Sequence, residues 1–122
     1  MMPRAARAAG ATVLLLALAG AAGAHAFLER ADPRVGSTVK TPPAQVRLWF
    51  TQPLEPAFST VRVLDGAGNQ VDRQDAALDP GNSALLRVTV PPLGPGTYKV
   101  IWRVLSVDTH VTEGDFTFTV AQ

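Results

Sequence analysis

From residue 45 onward, apolar and polar positions alternate in short runs, a period of two that predicts strands with one face buried. The clearest run is 45–50, where Val46, Leu48 and Phe50 fall on one side and Gln45, Arg47 and Trp49 on the other. Run 60–64 repeats the pattern with Val61 and Val63 inward, and 85–90 reads as a further strand. A long strand at 97–106 carries Tyr98, Val100, Trp102 and Val104 on one face, and 115–120 carries Phe116, Phe118 and Val120 inward. A first strand is expected at 26–30. Between these runs stand Asp32-Pro33-Arg34-Val35-Gly36-Ser37, Thr41-Pro42-Pro43 and Pro91-Pro92-Leu93-Gly94-Pro95-Gly96, all loop or turn chemistry. Asp65-Gly66-Ala67-Gly68-Asn69 supplies turn residues that tolerate positive φ, so a hairpin into 70–72 is expected. The prolines of Gln52-Pro53-Leu54-Glu55-Pro56 lack ladder donors, which makes that stretch a surface connection. No segment sustains a 3.6-residue period. About seven short strands with regular turn signals predict an all-β chain: a seven-stranded antiparallel Greek-key β-sandwich, immunoglobulin- or cupredoxin-like.

The first 24 residues have a different character. Arg4 and Arg7 precede an apolar core at 11–18 with Leu14-Leu15-Leu16, and Ala22-Gly23-Ala24 forms a small-residue cleavage motif. The expected organisation is a cleaved secretory signal at 1–24 and one domain at 25–122. An uncleaved anchor is the alternative, but Gly10, Gly20 and Gly23 interrupt an apolar run already short of the roughly 20 residues a spanning helix needs. Without Arg4 and Arg7, 9 basic residues face 10 acidic ones, with no basic cluster to follow phosphates, so nucleic acid is not an expected partner. The chain has no cysteine, which excludes a disulfide framework and a thiolate metal site. Asp72, Asp75 and Asp79 lie in the polar stretch 72–83, but their spacing lacks the closing glutamate of a calcium loop, and a solvated loop is expected.

Two histidines remain as chemistry-bearing residues, His25 and His110. Cleavage after Ala24 would make His25 the new N-terminus, offering its α-amine and its ring Nδ1 to one cation with little loss of freedom. Asp108 and His110 are two apart, and in an extended segment both side chains would project to one side. An Asp-x-His pair alone is a weak metal signal; together with His25 it offers three nitrogens and a carboxylate oxygen. A tetragonal nitrogen and oxygen set suits Cu(II), with zinc as the main competitor. The bland alternative makes His25 merely the residue after the signal and His110 a solvated loop side chain. Thr109 and Thr112, flanking His110, are candidates for orienting its ring. Tyr98 and Trp102 are core residues by strand alternation, whereas the pattern leaves the role of Trp49 open.

Several stretches resemble the CopC family of periplasmic copper-binding proteins: His25-Ala26-Phe27-Leu28, Asp32-Pro33 with Gly36-Ser37, and Val46, Leu48 and Phe50-Thr51. The most specific likeness is Gly96-Thr97-Tyr98-Lys99-Val100, Trp102-Arg103-Val104, Ser106 and Asp108-Thr109-His110, followed by Gly114 and Phe116-Thr117-Phe118. The resemblance implies a Greek-key β-sandwich in which His25, His110 and Asp108 hold one Cu(II) per chain. It also implies a periplasmic copper carrier in homeostasis and resistance, not an enzyme, with an inner-membrane copper transport protein as a further partner. Some relatives carry a glutamate where Gln52 stands, and Gln52 brings no charge. Others carry a methionine-rich Cu(I) site, whereas both methionines here, Met1 and Met2, precede the cleavage point, which places the chain with the Cu(II)-only branch. Two competing functions remain: a copper oxygenase using the same brace of an N-terminal and a second histidine, and a metal-free sandwich that binds a protein. A carboxylate such as Asp108 that fills the coordination plane argues against the oxygenase, because a catalytic metal needs an open position.

Overall fold

The computed structural model describes residues 25–122; the expected signal at 1–24 lies outside them. Eight strands and one short 3₁₀ helix follow in order: β1 (Leu28–Asp32), β2 (Thr38–Val39), β3 (Gln45–Phe50), the 3₁₀ helix Pro56–Phe58, β4 (Thr60–Leu64), β5 (Ala77–Asp79), β6 (Asn82–Thr89), β7 (Gly96–Leu105) and β8 (Val111–Val120). They form two four-stranded sheets, β1-β3-β6-β5 and β2-β8-β7-β4. The β-sandwich is therefore as the alternation predicts, with one more strand than the seven expected. Its pairing is antiparallel except for β2, which runs parallel to β8 through Thr38↔Thr119 and Val39↔Val120.

Burial follows the alternation of the sequence. On β3, Val46, Leu48 and Phe50 are buried while Gln45, Arg47 and Trp49 are partly covered on the outer face. Across the sandwich, Val61, Val63, Val100, Val104, Phe116 and Phe118 face them, and Leu86 and Val88 of β6 complete the layer. Interdigitation of these apolar faces is the main source of stability. Aromatic pairs set its ends: the Trp102 ring meets Phe50 edge-on at 5.2 Å, and Tyr98 stacks on Phe118 at 5.6 Å. The Tyr98 hydroxyl stays satisfied by donating to the Gly94 carbonyl at 2.7 Å. Trp49, left open by the sequence pattern, lies under the Arg30 guanidinium at 3.8 Å on the outer face of the first sheet.

Three local departures bear on the site. A bulge between Leu28 and Arg30 shifts the register of β1 on β3, and β1 starts two residues later than expected. The 52–56 stretch is a connection, as expected, and carries the chain from the first sheet to the second, yet it is not merely superficial: Leu54 is buried and bridges Ser106. The expected hairpin return at 70–72 is reduced to one bridge, Leu64↔Gln70, with Asp72 buried instead of solvated.

Candidate metal centre

The longest ladder, β7 with β8, runs from Gly96↔Val120 to Leu105↔Val111, and its far end is closed by Ser106-Val107-Asp108-Thr109-His110. Inward parity along β7 (98, 100, 102, 104) ends on Ser106, fully buried, whose hydroxyl accepts from the His110 N–H at 3.3 Å. The Ser106 N–H returns a bond to the His110 carbonyl at 3.0 Å, so residue 106 holds His110 from both sides. Ser106, one of the residues that carry the family likeness, thus anchors the turn from an inward parity position. Within the turn, Thr109 has φ of +69°, a left-handed conformation rare for a β-branched residue. The N–H of Thr109 donates to the Ser106 carbonyl at 2.9 Å, and its hydroxyl bonds the Asp108 carbonyl.

The other half of the site is the arm before β1. Thr51, immediately after β3, receives the Phe27 N–H on its hydroxyl at 2.9 Å and donates its own N–H to the Phe27 carbonyl at 2.9 Å. Its hydroxyl also reaches the His25 carbonyl at 3.4 Å. Opposite, the Thr112 hydroxyl of β8 donates to the Ala26 carbonyl at 2.6 Å. Thr112 is thus engaged with the arm and not with the His110 ring, which corrects the orienting role expected for it; Thr109 likewise bonds backbone.

These contacts bring His25 and His110 together, with ring centroids 4.6 Å apart and planes inclined by 37°. Phe27 also stacks on His25, with centroids 6.0 Å apart. Nδ1 of His110 is buried and has no hydrogen-bond partner. A buried ring nitrogen without a partner is uncommon and is what a bound cation would satisfy. Metal–imidazole bonds of about 2 Å place two ligand nitrogens about 3–4 Å apart, within reach of rings at this spacing by side-chain rotation.

Asp108 is exposed, and among the described residues no group of three or more His, Cys, Asp or Glu side chains converges. The premise of an extended 108–110 segment fails because the left-handed Thr109 turns the chain, so the two-residue parity of a strand does not apply across it. The three aspartates of the 72–83 stretch each accept hydrogen bonds from the protein: Asp72 from Val63, Gln70 and Gln74, Asp75 from Thr89, and Asp79 from Gly81.

Fold and site together define a two-sheet β-sandwich with a histidine pair held at one end. Residues 28–121 match the CopC domain, and the chain belongs to the CopC domain family. It is 35% identical over 114 residues to copper resistance protein C of Escherichia coli, covering 88% of this chain and 90% of that protein. It is 28% identical over 100 residues to copper transport protein CutJ of Bacillus subtilis (strain 168), covering 81% of this chain but only 18% of CutJ's length. Among solved structures it is similar to CopC from Methylosinus trichosporium OB3b, with a TM-score of 0.74, 37% identity, and coverage of 80% of this chain and 94% of that one. The family is thus one of copper resistance and copper transport proteins rather than enzymes, in agreement with the non-enzymatic expectation.

Proposed function

We infer that the chain is an exported Cu(II) carrier of the periplasm, acting in copper homeostasis and resistance after removal of residues 1–24. The observation that carries this reading is the pairing of His25 with His110 at 4.6 Å beside an unpartnered ring nitrogen. Once exposed, the α-amine of His25 joins its own ring and the His110 ring as a third nitrogen donor. Asp108, exposed on the same turn, supplies the oxygen donor that completes a tetragonal set. No methionine lies within 25–122, so the thioether ligands Cu(I) favours are missing and the oxidised ion fits best. Handover to an inner-membrane copper transport protein follows from the family resemblance, and the likeness to a part of copper transport protein CutJ is in keeping with a role in copper transport.

The test is Cu(II) titration of the chain starting at His25 against the same chain with one residue added before it. One equivalent should bind the first tightly, with three nitrogen ligands by electron paramagnetic resonance, and the added residue should weaken binding sharply by converting the amine to an amide. Equal affinity of the two would refute the brace. Affinity should also fall on acidification, because amine and imidazoles coordinate only when deprotonated.

A further inference from the structure

The two histidines come from opposite sheets, and two threonine hydroxyls hold them in one place. Thr112 occupies the last inward position of β8, in line with Gly114, Phe116, Phe118 and Val120, and it pairs with buried Val104. Where the rest of that row packs apolar atoms into the core, Thr112 instead reaches across the open end of the sandwich to the Ala26 carbonyl at 2.6 Å. Ala26 is fully buried, so the hydroxyl satisfies a carbonyl that water does not reach. On the other side, Thr51 holds the Phe27 backbone through two bonds, its hydroxyl accepting from the Phe27 N–H and its own N–H donating to the Phe27 carbonyl. His25 is therefore the free end of an arm clamped at the next two residues, while His110 is fixed two residues before Thr112.

We propose that Thr112, with Thr51 as its counterpart on the first sheet, is a positioning residue that sets the separation of His25 and His110 and so preorganises the copper site. The proposal rests on the Cu(II)-carrier reading for its consequence, but not for its geometry. Outer partners that orient metal ligands commonly change affinity by 10–100-fold when removed. Thr112→Val keeps the shape and removes the hydroxyl, leaving the Ala26 carbonyl without its donor. The arm then gains by moving out to water, and the α-amine moves with it.

The experiment uses residues 25–122, which contain both sheets and the whole core and match a solved CopC over 94% of that chain's length. In metal-free protein, ring-proton contacts between His25 and His110 are measured by nuclear magnetic resonance for the native chain, Thr112→Val and Thr112→Ser. In parallel, Cu(II) affinity is determined by competition with a chelator. The expected result is a ring contact in the native and serine forms that is lost in the valine form, with Cu(II) binding about 10-fold weaker in valine and restored in serine. A purely structural role would lower the unfolding midpoint and leave the ring contact intact, and that outcome overturns the proposal. Should Thr112→Val not fold, Thr51→Val removes the acceptor for the Phe27 N–H from the other side and is read the same way. If the native chain binds no Cu(II), the carrier reading falls, and the metal-free ring contact alone still decides whether Thr112 positions His25.

Discussion

Asp72 gives the sharpest test of how the sandwich closes. β4 is an edge strand of its sheet, and an unpaired edge leaves backbone donors and acceptors open. Here the Asp72 carboxylate takes the Val63 N–H at 2.8 Å, and the Val71 N–H donates to the Val63 carbonyl at 2.8 Å, so two groups stand in for a missing strand. The same carboxylate accepts from the Gln74 N–H at 2.8 Å and from the Gln70 side-chain amide at 3.1 Å. In Asp72→Ala, Gln70 and Gln74, both exposed, turn to water at little cost, whereas Val63 is fully buried and its N–H is orphaned. An orphaned buried donor costs about 1–3 kcal/mol and a bond to a charged group is worth about 1.5–3 kcal/mol; both figures describe the same lost contact, so the loss should be about 1.5–3 kcal/mol. For a domain of this size, each kcal/mol moves Tm by roughly 4–8 °C, which predicts a fall of about 6–24 °C by calorimetry. Asp72→Asn should fall in between, since it keeps one acceptor oxygen but faces its amide toward donors. Asp79→Ala, which loses one bond to the exposed Gly81 N–H and a 3.7 Å ion pair with Arg87, is the comparator and should cost under about 1 kcal/mol. Equal losses at Asp72 and Asp79, or a change under about 0.5 kcal/mol in Asp72→Ala, would show that the edge is not held this way.

Three further outcomes are expected. In Gly114→Ala the new Cβ would lie 2.7 Å from Cζ2 of Trp102, whose ring is pinned by Phe50, so denaturant unfolding should show a loss of about 1–3 kcal/mol; an unchanged midpoint would mean that the indole yields freely. Asp75 has its carboxyl held below the usual aspartate range, first by the Thr89 hydroxyl and then by the Thr89 N–H. Because the folded value is depressed, its stabilisation is present above the ordinary value of 3.8 and is lost as pH falls through the folded one. The native chain should therefore exceed Asp75→Asn in stability by a constant margin near neutrality that shrinks below about pH 4, and a margin independent of pH would contradict this. Thr109→Gly should be at least as stable as the native chain, since relief of about 1–2 kcal/mol of left-handed strain offsets the entropy glycine adds to the unfolded state, and a loss above about 1 kcal/mol would count against strain at φ +69°.

How much of this was legible in the sequence depends on how far each element's pattern runs. β3, β4, β7 and β8 carry the alternation most plainly, and each inward residue predicted for them is buried, whereas β6 buries the neighbours Leu85 and Leu86 together. β2 and β5, two and three residues long, are too short to show a period, and they account for the strands that the pattern missed. The role of Asp72 was equally hidden: an aspartate in a polar stretch reads as solvated, and only the position of β4 at a sheet edge gives it backbone donors to accept.

The site divides along the same line. Parity extended along β7 reaches Ser106 correctly, because the ladder is unbroken up to Leu105↔Val111. One residue in the left-handed region then ends it, and threonine is among the residues least expected there, so nothing in its type announces the turn. Side-chain directions beyond that point follow a torsion rather than a period. The expected meeting of His25 with His110, 85 residues later, is realised through hydroxyls at 51 and 112 that no spacing rule connects, whereas the parity argument for Asp108 stops at the left-handed Thr109. A contact between the two sheets at one end of a sandwich is fixed only when both sheets are in place. Residue types thus revealed which donors the chain owns, and the closing of the sandwich decides which of them meet.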